Sequence, residues 1–501
     1  MAPINFSGIA SGIDSNALID AISTATKQAR VVPNETKVTE LGETNAVFTD
    51  LKTKLLALQE LAYNFSTLGG GALSKNALSS DETAVTASAS NAATNGSYTL
   101  TVTNKARNHT HSFNNAFTSS STAIDATISD ATPADDAINT ITYNIGNGAD
   151  AKSIAVRVTS TMTPASFVEK FNANATASAP GYATASLVNV GTTAVPSYRI
   201  VVNTNNQGTA KGEISTVATG AYLTGGVLDA ADPLKVTEVP AENAEFSISG
   251  IAGTITRSSN AISDVITGVT FNIQAEAGTS TITITDDVAK SQSTVQEFVD
   301  AYNEIVKFIA ENNAISREED GEDVSNTFAP LSKSRTDDNF LISFRNAMSL
   351  SRNQSITNST SIAVNTLSDI GFQTQRDGTI KFVTTDAIQS NFQDAMATDS
   401  SLVNSVLTRL GDLVGTVAGV TSLIPGGGVI QQYTRGNGLI DVSVNGNKTL
   451  ITTLNDKIGQ ANAFIKAQED SLRARFARLE SLTGKLQGQQ QALTSALSGL
   501  G

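Results

Sequence analysis

Apolar positions along the chain keep a three-and-four spacing at both ends and alternate in the middle. The first seam runs through Leu41, Thr44, Phe48, Leu51, Leu55, Leu58, Ala62 and Phe65, a heptad pattern with one polar lapse at Thr44. Gly69-Gly70-Gly71 closes it. Residues 1–66 therefore read as helical after a short Gly/Ser start, Phe6 to Asp14.

The far end is more regular. Ile451, Ile458, Ile465, Leu472, Leu479, Leu486, Leu493 and Leu500 recur at every seventh position. A strict seven-residue repeat predicts a coiled coil, because an unpaired straight helix has no reason to hold a period of about 3.5 residues. The companion positions Leu454, Ala461, Gln468, Arg475, Leu482, Gln489 and Ala496 are weaker, with polar residues among them. Gly459, Gly484, Gly488 and Gly499 each cost the helix about 1 kcal/mol relative to Ala. Such a helix needs a partner. Two are open: the N-terminal seam of the same chain, or other subunits that order the termini on contact.

Between the seams, residues 80–287 are rich in Ala, Ser, Thr and Asn and read as β. Alternation marks Tyr98-Leu100-Val102, Ile154-Val156-Val158, Phe246-Ile248, Val269-Phe271-Ile273 and Ile282-Ile284, with Gly278 predicting a hairpin loop between the last two. Stretches 118–150 and 204–243 are turn-rich without clear period, which suggests one β domain inserted into another. Helical spacing resumes with Val295, Phe298, Val299, Tyr302, Ile305, Val306 and Ile309. A polar, solvated loop is expected at Arg317–Asp323, a turn at Arg376-Asp377-Gly378 and a breaker at Ile424–Gly428.

Composition narrows the chemistry. At about 100–200 residues per domain, 501 residues suggest three or four domains. Charged residues are 16%, against a usual ~25%, and the net charge is −14. An acidic chain argues against binding along nucleic-acid phosphates. With no Cys, disulfides, thiolate metal sites and cysteine nucleophiles are excluded. No run approaches the ~18 apolar residues of a membrane span. The first Lys is Lys27, with Asp14 and Asp20 before it, so no secretory signal peptide is expected.

His109 and His111 would share a strand face, but no acidic ligand is near in sequence, and they read as an exposed surface pair. Glu318–Asp323 lacks the alternating ligands of a calcium loop. No phosphate-binding loop with Lys, no HExxH and no GxSxG occurs. The expectation is no catalytic, metal or cofactor site, and no enzyme.

Four segments, in order, resemble the bacterial flagellar filament cap family, also called hook-associated protein 2. They are Phe6-Ser7-Gly8-Ile9-Ala10-Ser11-Gly12-Ile13-Asp14 followed by Leu18-Ile19; Gly268-Val269-Thr270-Phe271 with Ile282–Ile284, Asp286 and Phe298-Val299-Asp300-Ala301-Tyr302-Asn303; Ser368-Asp369-Ile370-Gly371-Phe372 with Asp377-Gly378-Thr379-Ile380; and Arg475-Phe476 with Leu479-Glu480. Between about 100 and 245 no resemblance is found.

The resemblance implies an α+β multidomain fold: paired terminal helices as a coiled-coil-like root, a helix-rich stalk domain and two nested all-β domains inserted in the middle. On this sequence the expected division is 1–42 with 448–501 for the root, 43–78 with 288–447 for the stalk, 79–128 with 244–287 for one β domain and 129–243 for the inserted one. It implies a ring of like subunits at the filament tip that retains exported flagellin and promotes its folding and insertion. The implied route is the flagellar type III channel, with a dedicated export chaperone, flagellin and a hook-associated junction protein as partners. Phe6, Ile9, Ile13, Leu18, Ile451, Ile458, Ile465, Leu472, Phe476, Leu479, Leu486 and Leu493 would meet neighbouring subunits or filament. Lys466, Arg473, Arg475, Arg478 and Lys485 form a basic cluster. It reads first as a solvated helix face, and alternatively, at Arg473, Arg475 and Arg478, as a chaperone contact. Competing readings are a tip adhesin that binds host glycan or mucin through its β domains, and another axial protein such as flagellin or a hook–filament junction protein. The Phe6–Asp14 signature counts against the last.

Overall fold

Helical segments stand at both ends of the chain and antiparallel strands fill most of the middle, as the two periods predict. The computed structural model describes residues 12, 14–126, 128, 139–219, 223, 226–320, 323–334, 336–353, 364–386, 390–416 and 427–498, without the side chains of 318–325. Two helices lead, α1 (Ser15–Arg30) and α2 (Val32–Phe65). Then come β1 (Lys75–Ser79), β2 (Val85–Ala89), β3 (Gly96–Asn104), β4 (Thr110–Phe113), β5 (Thr140–Ile145), β6 (Lys152–Arg157) and α3 (Pro164–Ser178). They are followed by β7 (Ala183–Asn189), β8 (Tyr198–Thr204), the short α4 (Gly208–Gly212), β9 (Ile214–Thr219), β10 (Val236–Val239) and β11 (Ala244–Ile248). The β region ends with β12 (Ile255–Arg257), β13 (Ala261–Ile266), β14 (Val269–Ile273) and β15 (Gly278–Asp286). The last part holds α5 (Val288–Asn312), β16 (Ile315–Asp320), β17 (Asp323–Phe328), α6 (Thr336–Leu350), β18 (Phe372–Thr374), β19 (Ile380–Phe382), α7 (Phe392–Gly415), α8 (Val429–Thr434) and α9 (Leu439–Ser498). Contacts divide the chain into two units, 1–72 with 288–501, and 73–287.

In the helical unit the first seam is the core. Leu41, Phe48, Leu51, Leu55, Leu58, Ala62 and Phe65 are all buried, against α5, α7 and α9. Thr44, the polar lapse, is satisfied: its hydroxyl lies 2.8 Å from the Glu40 carbonyl and 3.1 Å from that of Pro330. Phe65 meets Phe298 edge-on at 5.5 Å, and Tyr302 stacks on Phe344 at 4.4 Å. α7 lies close on α2 because Gly411 and Gly415 carry no side chain; a Cβ at either would sit 2.6 Å from a backbone nitrogen of α2 or its cap. Both α2 and α9 run unbroken, through 42/43 and 447/448 respectively.

The acidic segment expected as a loop is instead the hairpin β16–β17, paired from Ile315↔Phe328 to Asp320↔Asp323. Backbone pairing is made by main-chain groups and does not depend on the charge of the side chains. Gly321 directly after Asp320 is the turn signal that the acidic composition masked.

The β unit has two cores. One lies between the sheet β1-β15-β3-β11-β12 and the sheet β13-β14-β2, and is filled by Leu100, Val102, Phe246, Ile248, Val269, Phe271, Ile273, Ile282 and Ile284. These are the alternating residues of the sequence. The predicted hairpin at Gly278 is not formed: β14 pairs with β13 and β2, whereas β15 pairs with β1 and β3. The connection crosses between sheets, and Gly278 is needed because a Cβ there would stand 2.9 Å from that of Ala84.

The second core joins the sheets β10-β4-β8-β7 and β6-β5-β9 through α3. Phe113, Ile141, Tyr143, Ile154, Val156, Phe167, Phe171, Ile200 and Val202 fill it, and Ile128 contributes as well. An all-β reading of 80–287 misses α3. Its signal was present: Thr163 caps the helix with Ser166, Pro164 stands at its start, and Phe167, Phe171 and Ala175 follow at four-residue steps on its buried face. His109 and His111 are also corrected. They share a face of the β4 sheet, but that face looks into this core, and both rings are buried. Sequence spacing places two residues on one face without saying which face is dry.

Candidate assembly interface

The terminal helices meet in the helical unit. Asp14 caps α1, its carboxylate accepting the amides of Asn16 (3.1 Å) and Ala17 (3.0 Å). α1 then packs on α9. Ile19 is buried, the Arg30 guanidinium sits 4.8 Å above the Phe464 ring, and Arg473 donates to Asn16 Oδ1 at 3.2 Å. Lower on α9, Lys52 pairs with Asp441 at 2.5 Å and Asn447 donates to Asn45 at 2.9 Å, tying α2 to the start of the long helix.

Burial along the heptad changes along α9. Leu454 and Ile465 are buried, and Ile451, Ile458, Leu472 and Phe476 are half-buried. From there the stripe opens: Leu479 is 42% exposed, Leu482 57%, Leu486 56%, Leu493 63% and Leu497 65%. At about 1.5 Å per residue, Leu479 to Leu497 is roughly 27 Å of helix face. One helix therefore carries two kinds of seam, one closed by α1 and α2 and one open. Leu482 and Leu497 join the open stripe although the strict seven-residue count omits them; the i, i+3 neighbours of Leu479 and Leu493 would have indicated Leu482 and Ala496. Leu18 is exposed, so it is free for contact, whereas Ile465 is already used within the chain. Phe6, Ile9 and Ile13 lie outside the described residues.

Basic residues flank the same region. Lys466 pairs with Asp470 at 3.7 Å and Arg473 bonds Asn16, while Arg475, Arg478 and Lys485 are exposed. Elsewhere in the helical unit, a cleft of about 700 Å³ is lined by Lys37, Glu40, Phe48, Phe328 and Lys333. Its charges pair with one another, Glu40 with Lys37 at 2.7 Å and with Lys333 at 3.7 Å, and these cations hold the Glu40 carboxyl below its ordinary value. Among the described residues no three His, Asp or Glu converge as metal ligands, and no helix is long and apolar enough to cross a membrane.

Packed terminal helices, two β cores in the sequence that separates them and an uncovered leucine stripe on the last helix are the features of a multidomain protein with a free helix face for partners. Residues 11–109 match the model of the flagellar hook-associated protein 2 N-terminus and residues 241–488 that of its C-terminus. The two matches cover more than half of the chain, and the chain belongs to the flagellar hook-associated protein 2 family. The unmatched middle holds nearly all of the second β core. The B-type flagellar hook-associated protein 2 of Pseudomonas aeruginosa is 26% identical over 480 residues, 93% of this chain and 90% of that one. Flagellar hook-associated protein 2 of Escherichia coli K12 is 24% identical over 503 residues, 99% of this chain and 98% of its own. The crystal structure of the D1-D2-D3 domains of the Escherichia coli flagellar cap protein FliD covers 82% of this chain and 99% of that chain, with a TM-score of 0.53 and 22% identity, a likeness of fold.

Proposed function

We propose that this chain is the structural cap of the bacterial flagellar filament: exported through the flagellar type III apparatus, it forms a ring of identical subunits at the distal tip, retains emerging flagellin and promotes its folding and insertion. Family membership across both ends of the chain is the observation that carries this reading. The open stripe from Leu479 to Leu497 adds the physical means, since such a face leaves water only by meeting another helix. Leu18 and the half-buried Leu472 and Phe476 extend it toward α1.

Before assembly the same stripe needs cover, which is the place of an export chaperone; Arg475 and Arg478 flank it for an acidic partner, and Arg473 would have to leave Asn16 to join them. After export the stripe is free for neighbouring subunits, flagellin or the hook-associated junction protein. The role is mechanical rather than catalytic. Deletion of the gene tests the proposal: the expected result is short or absent filaments with flagellin in the medium, and normal filaments without leaked flagellin refute it.

A further inference from the structure

Both histidines of the chain sit in the second β core, and each ring ties one sheet to material of the other. His109 Nδ1 accepts the amide of Ile214, the first residue of β9, at 3.2 Å. His111 Nε2 donates to the Ala230 carbonyl at 3.3 Å, the oxygen that also accepts from Thr216 of β9 at 2.6 Å. His109 is 1% exposed and His111 0%. The His111 ring packs edge-on against Phe113 at 5.1 Å and Tyr143 at 5.5 Å. The His109 main chain is held as well: its amide donates to Thr204 Oγ1 and its carbonyl accepts the Thr204 amide, both at 2.9 Å. The backbone that carries the ring is thus fixed in place beside β8.

This geometry admits only neutral rings. A proton on His109 Nδ1 would set two N–H donors against each other. A second proton on His111 would fall on Nδ1, which is buried with no hydrogen-bond partner, as is His109 Nε2. The charged groups that face the rings offer partial relief at most. Glu213, just before β9, lies 3.5 Å from His109 Nδ1, and Glu238 of β10 lies 3.8 Å from His111 Nε2. Burial, with Glu238 nearby, pushes the Glu213 carboxyl up, so its negative charge fades as pH falls. Tyr143 of β5 stays neutral in the core, its phenol pushed up by burial. Each imidazolium would also repel the other.

We propose that His109 and His111 form an acid-released clasp: neutral, they hold the two sheets of the second β core together; protonated, they let β5, β6 and β9 open while the helical unit, which contains no histidine, stays folded. Burial supports this, holding His109 at about 4 against an ordinary 6.5 and His111 below its ordinary value too. A folded value below the unfolded one means the stabilisation is complete above pH 6.5 and is lost as pH falls toward 4. At pH 5 the His109 ring alone shifts the open-to-closed ratio about thirty-fold.

Hydrogen exchange of the full chain at pH 7.5 and 5.0, each corrected for intrinsic exchange, tests the clasp. Opening in 139–219 is expected to rise at least thirty-fold relative to 288–312; equal changes in the two overturn the proposal. His109→Asn with His111→Gln keeps an acceptor and a donor in the places of the bonded ring nitrogens, and should abolish the selective rise; its persistence overturns the proposal. If that variant does not fold, imidazole NMR titration of the parent chain decides. Both rings titrating well below 6.5 sustain the clasp, and either at 6.5 or above refutes it.

Discussion

Asn303 pairs with Ile380 as a neighbouring strand would: its Nδ2 donates to the Ile380 carbonyl at 2.8 Å and its Oδ1 accepts the Ile380 amide at 2.7 Å. One turn position away, the Tyr302 hydroxyl donates to the Gly378 carbonyl at 3.1 Å. Two motifs far apart in sequence thus fasten the β18–β19 hairpin to α5. Asn303→Ala leaves both backbone groups unpaired in a partly buried site and should cost about 1–3 kcal/mol, read by chemical denaturation followed through helical circular dichroism. An unchanged midpoint would mean water replaces the amide freely.

The two kinds of seam on α9 predict opposite costs. Ile465→Ala removes a buried side chain and should destabilise by about 2–5 kcal/mol. Leu486→Ala, on the open face, should stay within about 0.5 kcal/mol in dilute monomer while weakening self-association. Equal losses at the two positions would place the partner of the whole helix inside the chain.

Asp337 is fully buried at the start of α6, where the Ser334 side chain and the amides of Asp337 and Asp338 approach its carboxylate and offset its burial only in part. Burial pushes its carboxyl up. A raised folded value means the acid is tolerated when protonated and becomes a burden as pH rises through that value. Asp337→Asn should therefore raise the melting temperature at pH 7 and lose that advantage near pH 4. A destabilised variant at pH 7 would reveal a cationic partner for Asp337.

If Arg473, Arg475 and Arg478 form the proposed chaperone contact, changing all three to Glu weakens chaperone binding, and the parent protein loses affinity with rising salt more steeply than the variant. Unchanged affinity assigns these residues to a solvated face.

Legibility followed burial. The α2 seam, the strand Val269–Ile273 and the Ile282–Ile284 part of β15 could be read directly, because one face of each is dry and alternation or heptad spacing records it. Helix α3 hid among Ala, Ser, Thr and Asn, whose helical and extended preferences differ little, and only its cap and Phe167/Phe171 spacing betray it. The sheet change after β14 and the inward turn of His109 and His111 depend on which surfaces meet, information carried by distant residues. The open stripe was half legible: the seven-residue count named Leu479, Leu486 and Leu493, but periodicity alone could not tell that Ile465 is already covered and Leu482 is not.

The central claim is that the open stripe of α9 is the face through which this chain assembles at the filament tip. The direct measurement is flagellin partition, filament against medium, in a deletion strain complemented with Leu482→Gln, Leu486→Gln and Leu493→Gln together, with the variant itself assayed in the medium. The account predicts that the variant folds and is exported, yet flagellin escapes and filaments stay short. Filaments of normal length, with no flagellin in the medium, would contradict it.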